Sequence, residues 1–279
     1  MQEQSVEILI DYLTITKPKL SLGIENEIAA LLHDYDGYEK WEATTPPKGY
    51  RVAVKNEIGA LGASGRVEQG TLLSWSGSAL KRTDAVLIAE TALSNDWRIT
   101  RLDCTVDFLG FDTQVEDFLQ EYKNGQVNTT AKTHDNHTSE NDGHTVYIGS
   151  WNSSRYLRIY NKRASEARFT DVSGLPEKWT RCELVLREEH ARHAVRVISD
   201  RGYREAIPAL LRGYADFVNI QEYREMASIP VTTKGKGKVE SNRQKWLLEQ
   251  VLPTLMEEIS RDKEFEQKFM GQLMAWLGY

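Results

Sequence analysis

Apolar positions along this chain recur with two periods, alternate residues for strands and three-to-four residue spacing for helices. Residues 6–16 are apolar and β-branched and predict a strand. In 24–33, Ile24, Ile28, Leu31 and Leu32 fall at helical spacing. The stretch 41–61 is broken by Pro46, Pro47 and Gly49 and then alternates through Arg51, Val52, Ala53 and Val54. Residues 71–76 form a strand-like run ending at Gly77, and Asp84 is placed to cap a helix running to Leu93. The pattern then restarts. Residues 97–109 are strand-like and 113–122 helical. Residues 124–143 are polar, lack Leu, Ile, Phe and Trp, and read as a mobile loop. Residues 145–149 and 156–160 predict a hairpin across a Ser/Asn turn, and 178–187 another strand. From residue 188 helices dominate, over 188–199, 203–220 and an amphipathic tail from 244 with Phe265, Phe269, Leu273 and Trp276 on one stripe.

The two halves resemble one another. Each opens on a strand with a central acid, Asp11 in one and Asp103 in the other, and each later has a strand followed by a Gly-Ser turn, Gly77-Ser78 and Gly149-Ser150. A duplicated unit and the chance recurrence of short matches both account for this. The expected fold is α+β: antiparallel sheet from two ferredoxin-like halves, with a helical C-terminal region. The corresponding divisions are an N-terminal half over 1–95, a catalytic half over 96–225, and a basic linker with C-terminal helices over 226–279.

Composition narrows the setting. Hydrophobic residues make up 40% of the 279, enough for a substantial core. No apolar run approaches the roughly 20 residues of a membrane helix, and the polar start lacks a signal-peptide layout. The two cysteines, Cys104 and Cys182, lie in apolar strands and indicate no disulfide framework. A cytoplasmic protein without membrane contact is expected. The net charge of −6 opposes whole-surface DNA binding, since phosphate neutralisation supplies much of such affinity. The local distribution is uneven, however.

Three groups of residues could carry chemistry. Asp103 and Asp107 share one strand face with Arg101 and Thr105, while Leu102, Cys104 and Val106 face the other way. A divalent cation between the acids and pairing of the acids with Arg101 or Arg98 are both open. Glu183 is an acid within an apolar strand and needs a partner, either Arg181 or Arg158 or a metal. Tyr156, Arg158 and Tyr160 alternate onto one face, and residues 145–163 carry Arg155, Arg158, Lys162 and Arg163 with no acid. Such a face suits phosphate contact and base stacking, although a strand tyrosine is often only structural. Lys234, Lys236 and Lys238, spaced by glycines, form a second basic stretch suited to a phosphate backbone or to a solvated loop. The histidines, including His134, His137 and His144, carry no readable motif, and there is no phosphate-cradling glycine loop or zinc spacing.

In their order, these segments resemble the replication initiation factor family, which includes initiators of some rolling-circle plasmids, relaxases of some integrative elements and filamentous-phage replication proteins. The matching residues are Ile10-Asp11-Tyr12-Leu13-Thr14, Thr100 through Asp107, Val146-Tyr147-Ile148-Gly149-Ser150, Leu157-Arg158-Ile159-Tyr160-Asn161-Lys162, and Arg181-Cys182-Glu183-Leu184. The resemblance runs from about Ile8 to Ile220. It implies that Tyr160 is a covalent nucleophile and that Asp103, Asp107 and Glu183 hold Mg²⁺ or Mn²⁺. Arg158 and Lys162 would then neutralise phosphoryl charge and lower the phenol's pKa, and Arg155, Tyr156, Arg163, Lys234, Lys236 and Lys238 would contact DNA. Trp151 is a departure, standing where family members often carry a basic residue after Gly-Ser. The implied activity is nicking and rejoining of an origin through a 5′-phosphotyrosine link, on single-stranded or extruded DNA, with a host helicase and a homodimer as possible partners. A non-catalytic DNA-binding protein of the same fold and a metal-dependent phosphohydrolase using water are the competing readings.

Overall fold

Strands whose alternate residues are apolar must lay one face on something dry, and the chain satisfies this with one large sheet backed by helices. The computed structural model describes residues 4–17, 41–56, 60–64, 70–80, 84–139 and 143–225, together with 261 and 263. The N-terminal half contributes β1 (Ser5–Lys17), β2 (Trp41–Thr44), β3 (Val52–Asn56), β4 (Leu61–Ser64) and β5 (Thr71–Ser76), then the turn α1 (Gly77–Leu80) and helix α2 (Ala85–Ser94). Asp84 caps α2 as expected, its carboxylate accepting from the backbone N–H of Val86 and Leu87 at 2.9 and 3.1 Å.

The second half contributes β6 (Arg98–Leu109), α3 (Val115–Lys123), β7 (Val127–Thr129), β8 (His134–Ser139), β9 (Gly143–Ile148), β10 (Arg155–Asn161), α4 (Lys162–Glu166) and β11 (Trp179–Arg187). Helices α5 (Glu189–Arg201) and α6 (Tyr203–Tyr214), strand β12 (Ala215–Phe217) and the turn α7 (Gln221–Arg224) follow. Ten strands form one sheet in the order β2-β3-β4-β5-β1-β6-β11-β10-β9-β8, and β12 pairs with β7. All the pairings are antiparallel. From the central pair β1·β6 outward, the large sheet runs β1, β5, β4, β3, β2 on one side and β6, β11, β10, β9, β8 on the other. Each half thus gives five strands to the large sheet among the described residues, where a ferredoxin-like unit has four.

The expected boundary at 95/96 falls between α2 and β6, two elements that pack together. The larger compact unit is Met1–Thr232, and Thr233–Tyr279 forms another, in which the described Arg261 and Lys263 are helical. The helix at 24–33, the lysines at 234–238 and the tail stripe lie outside the described residues.

Leu102, Cys104, Val106, Leu157, Ile159, Cys182, Leu184 and Leu186 are fully buried on the apolar face. Helices α2, α5 and α6 pack over it, which leaves the opposite face of β6, β11, β10 and β9 for polar side chains. Two expectations change here. The polar stretch 124–143 contains strands β7 and β8, and β8 extends the sheet as its edge. The helix read over 203–220 stops at Tyr214, where Ala215–Phe217 leaves it to pair with β7. Among the described residues no helix is long and apolar enough to cross a membrane.

Candidate active site

Register places the polar side chains in rows across four strands. Arg158 on β10 lies opposite Glu183 on β11, which lies opposite Thr105 on β6. One step along, Tyr160 lies opposite Arg181, and Arg181 opposite Asp107. On the other side Arg158 faces Tyr147 and Tyr160 faces Thr145, both on β9. The alternation that put Asp103 and Asp107 on one face, and Tyr156, Arg158 and Tyr160 on one face, therefore builds a single polar surface.

Each carboxylate on this surface closes on its own guanidinium. Arg101 donates through Nε and Nη2 to the two oxygens of Asp103, at 2.8 and 2.6 Å. Arg181 donates in the same forked manner to Asp107 at 2.6 and 2.7 Å, and its Nη1 lies 3.0 Å from Asp11 Oδ1 on β1. Arg158 Nη2 donates to Glu183 Oε2 at 2.7 Å. Asp103, Asp107, Glu183 and Arg181 are all buried, so these pairings answer the desolvation that unpaired charges would suffer. Burial, followed by the charge of Glu183, pushes the Asp103 carboxyl up to about 7 against the opposing pull of Arg101.

Such an arrangement is not a shared cage for a cation. Both oxygens of Asp103 and of Asp107 are taken, and only Glu183 Oε1 is left without a partner. A hard divalent ion collects six or more oxygens, and among the described residues no group of three His, Cys, Asp or Glu side chains is placed to hold one. The three carboxylates read as metal ligands thus each stand against an arginine.

Tyr160 is 7% exposed, and its hydroxyl donates to Glu183 Oε2 at 3.4 Å. The Arg158 guanidinium lies 4.6 Å from the Tyr160 ring centroid, a cation–π distance. Burial, then the Glu183 charge, raises the phenol pKa, and Arg181 and Arg158 only partly offset this. Arg158 acts in the expected direction, but burial and Glu183 outweigh it, so the net shift is upward and the resting hydroxyl is neutral. Lys162 does not reach the phenol; it begins α4 and pairs with Glu166 one turn on. Arg163 donates to the carbonyls of Leu175 and Pro176, and Arg155 donates to Thr130 and stacks on Tyr214. Tyr156 is buried with Arg187 over its ring at 5.3 Å. These four side chains are engaged in holding the fold together.

The open side of Tyr160 is a cavity of about 430 Å³ lined by His137, Thr145, Tyr147, Arg158, Tyr160 and Ser165, among others. Its β9 wall is the predicted hairpin partner of β10, but its β8 wall was not singled out from the sequence, because β8 is polar on both faces and hides its period. The available signal was its position one hairpin away from Tyr160.

The chain matches the family model described as replication initiation factor over residues 97–274. No curated protein matches. Among solved structures, the rolling circle replication initiator protein from Geobacillus stearothermophilus superposes with a TM-score of 0.60 at 19% identity, covering 81% of this chain and 94% of that one. That likeness concerns the fold, while the family match takes in β6, β10 and β11 with every side chain of the polar surface except Asp11. This chain belongs to the replication initiation factor family.

Proposed function

We propose that the chain starts rolling-circle replication or element transfer by nicking one DNA strand and holding its 5′ end on Tyr160. The observation that carries this reading is a buried tyrosine whose hydroxyl touches a buried carboxylate and whose ring lies beside an arginine, at the wall of an open cavity. A phenol with a raised pKa is a poor nucleophile until it loses its proton. Glu183 Oε2, already accepting the hydroxyl's hydrogen bond, is the group in position to take that proton. Arg158, which lines the same cavity, is the cation available to the phosphoryl oxygens. Tyr160 Oη then bonds to phosphorus, the P–O3′ bond breaks, and the 3′-oxygen leaves as a hydroxyl after taking a proton from solvent, while Glu183 later releases the phenol's proton to solvent. That hydroxyl can prime a polymerase, and the retained phosphodiester energy permits rejoining without ATP.

The family resemblance implies a divalent ion, Mg²⁺ or Mn²⁺. The carboxylates in their present pairings do not fit a three-ligand centre, and no step here depends on one. Origin DNA is the proposed partner, and helicase recruitment and dimerisation belong to the same reading.

Product chemistry tests it. Single strands tiled across the protein's own replicon, treated with protein and Mg²⁺ or Mn²⁺, should give a fragment with a polymerase-extendable 3′-hydroxyl and a 5′ end bound to protein. A free 5′-phosphate with many turnovers would instead mean that water is the nucleophile.

A further inference from the structure

A second cavity, of about 510 Å³, adjoins the first: both are walled by His137 and Tyr147. Its lining also includes His134, Asp135, Ser150 and Trp151. The rings are preset. His137 and Tyr147 meet edge to face with centroids 5.7 Å apart, and His137 Nε2 pairs with Asp135 Oδ2 at 2.9 Å. Trp151 is 66% exposed, although tryptophan is on average highly buried. The turn that presents it is held in place. Arg187 Nη1 donates to the carbonyls of Trp151 and Ser153 at 2.9 and 2.6 Å, and Gly149 enters the turn at φ +90°.

We propose that this cavity is a nucleobase subsite that stacks one unpaired base of the DNA strand flanking the scissile phosphate, chiefly on Trp151. The idea rests on the nicking reading for its direction, because the strand must pass Tyr160 and Arg158 in the adjoining cavity. The chemistry favours a base over a phosphate. Aromatic faces stack any base, whereas the Asp135 carboxylate in the wall would repel a phosphodiester.

The test uses two fluorescein-labelled single strands of equal length and charge, a mixed-sequence 12-mer and a fully abasic 12-mer, with binding read by anisotropy. The unmodified protein should prefer the base-bearing strand. Trp151→Ala should weaken that strand by on the order of tenfold, leave the abasic strand unchanged, and be largely rescued by Trp151→Phe. Equal losses on both strands, or no loss on either, would overturn the subsite. Adduct formation reports separately: Trp151-dependent base binding without an adduct sinks nicking and keeps the subsite, whereas an adduct with no Trp151 effect does the reverse.

Discussion

Arg101, Arg158 and Arg181 each satisfy a carboxylate that is itself almost out of water, and the consequences differ for the two members of a pair. Replacing Arg181 with methionine leaves Asp107 buried without its forked donor and should cost about 3–5 kcal/mol of stability. Pairing Arg181→Met with Asp107→Leu should recover most of that loss, because the fully buried charge is gone and the Asp11 left behind is part-exposed. Urea unfolding of the two variants compares them directly, and a double variant no more stable than the single one would refute the pairing argument. Asp103 gives a pH signature. Its carboxyl, pushed up to about 7, keeps a proton that the unfolded chain releases near pH 3.9. The folded state therefore binds more protons across that window. The stability from this group is complete below about pH 4 and is lost as pH rises through 7. Asp103→Asn should flatten that decline in unfolding midpoints measured between pH 4 and 7.

Strands and turns set what those residues can reach. Gly149 closes β9 at φ +90°, and a methyl group there would sit 2.3 Å from the Tyr214 hydroxyl oxygen, which itself donates to the Ile148 carbonyl. Gly149→Ala should cost about 1–3 kcal/mol, seen as a lowered melting temperature, whereas Asp84→Ala, which only uncaps α2, should cost about 1 kcal/mol. Much of this scale was legible in the sequence. Alternation marked β1, β5, β6, β9, β10 and β11, since each buries one apolar face, and it placed Tyr156, Arg158 and Tyr160 together. Strand β8 was not legible because an edge strand wet on both faces has no hydrophobic period. Nor was the break at Ala215, which depends on the distant partner β7. The pairing of Glu183 with Arg158 was one of three options in the sequence, beside Arg181 and a metal, and the β10·β11 register favours Arg158 over Arg181. Asp11 stood out in the sequence as the central acid of its strand, but its place beside Arg181, next to a bulge in β1, had no local sign.

At the scale of the molecule, a ten-stranded sheet keeps helices α2, α5 and α6 on one face and gathers charge on the other. The net charge of −6, with Arg101, Arg158 and Arg181 each matched by a buried acid, leaves little general affinity for DNA. In the proposed function, recognition rests on the local cavity beside Tyr160. The account stands or falls on that phenol. The most direct measurement is a denaturing gel of the protein incubated with single strands from its own replicon, run for the unmodified chain and for Tyr160→Phe. The expected result is a covalent protein–DNA band with the unmodified chain and none with the variant, while the variant still binds the strand. A covalent band of equal intensity in Tyr160→Phe would contradict the account and move the nucleophile to another residue.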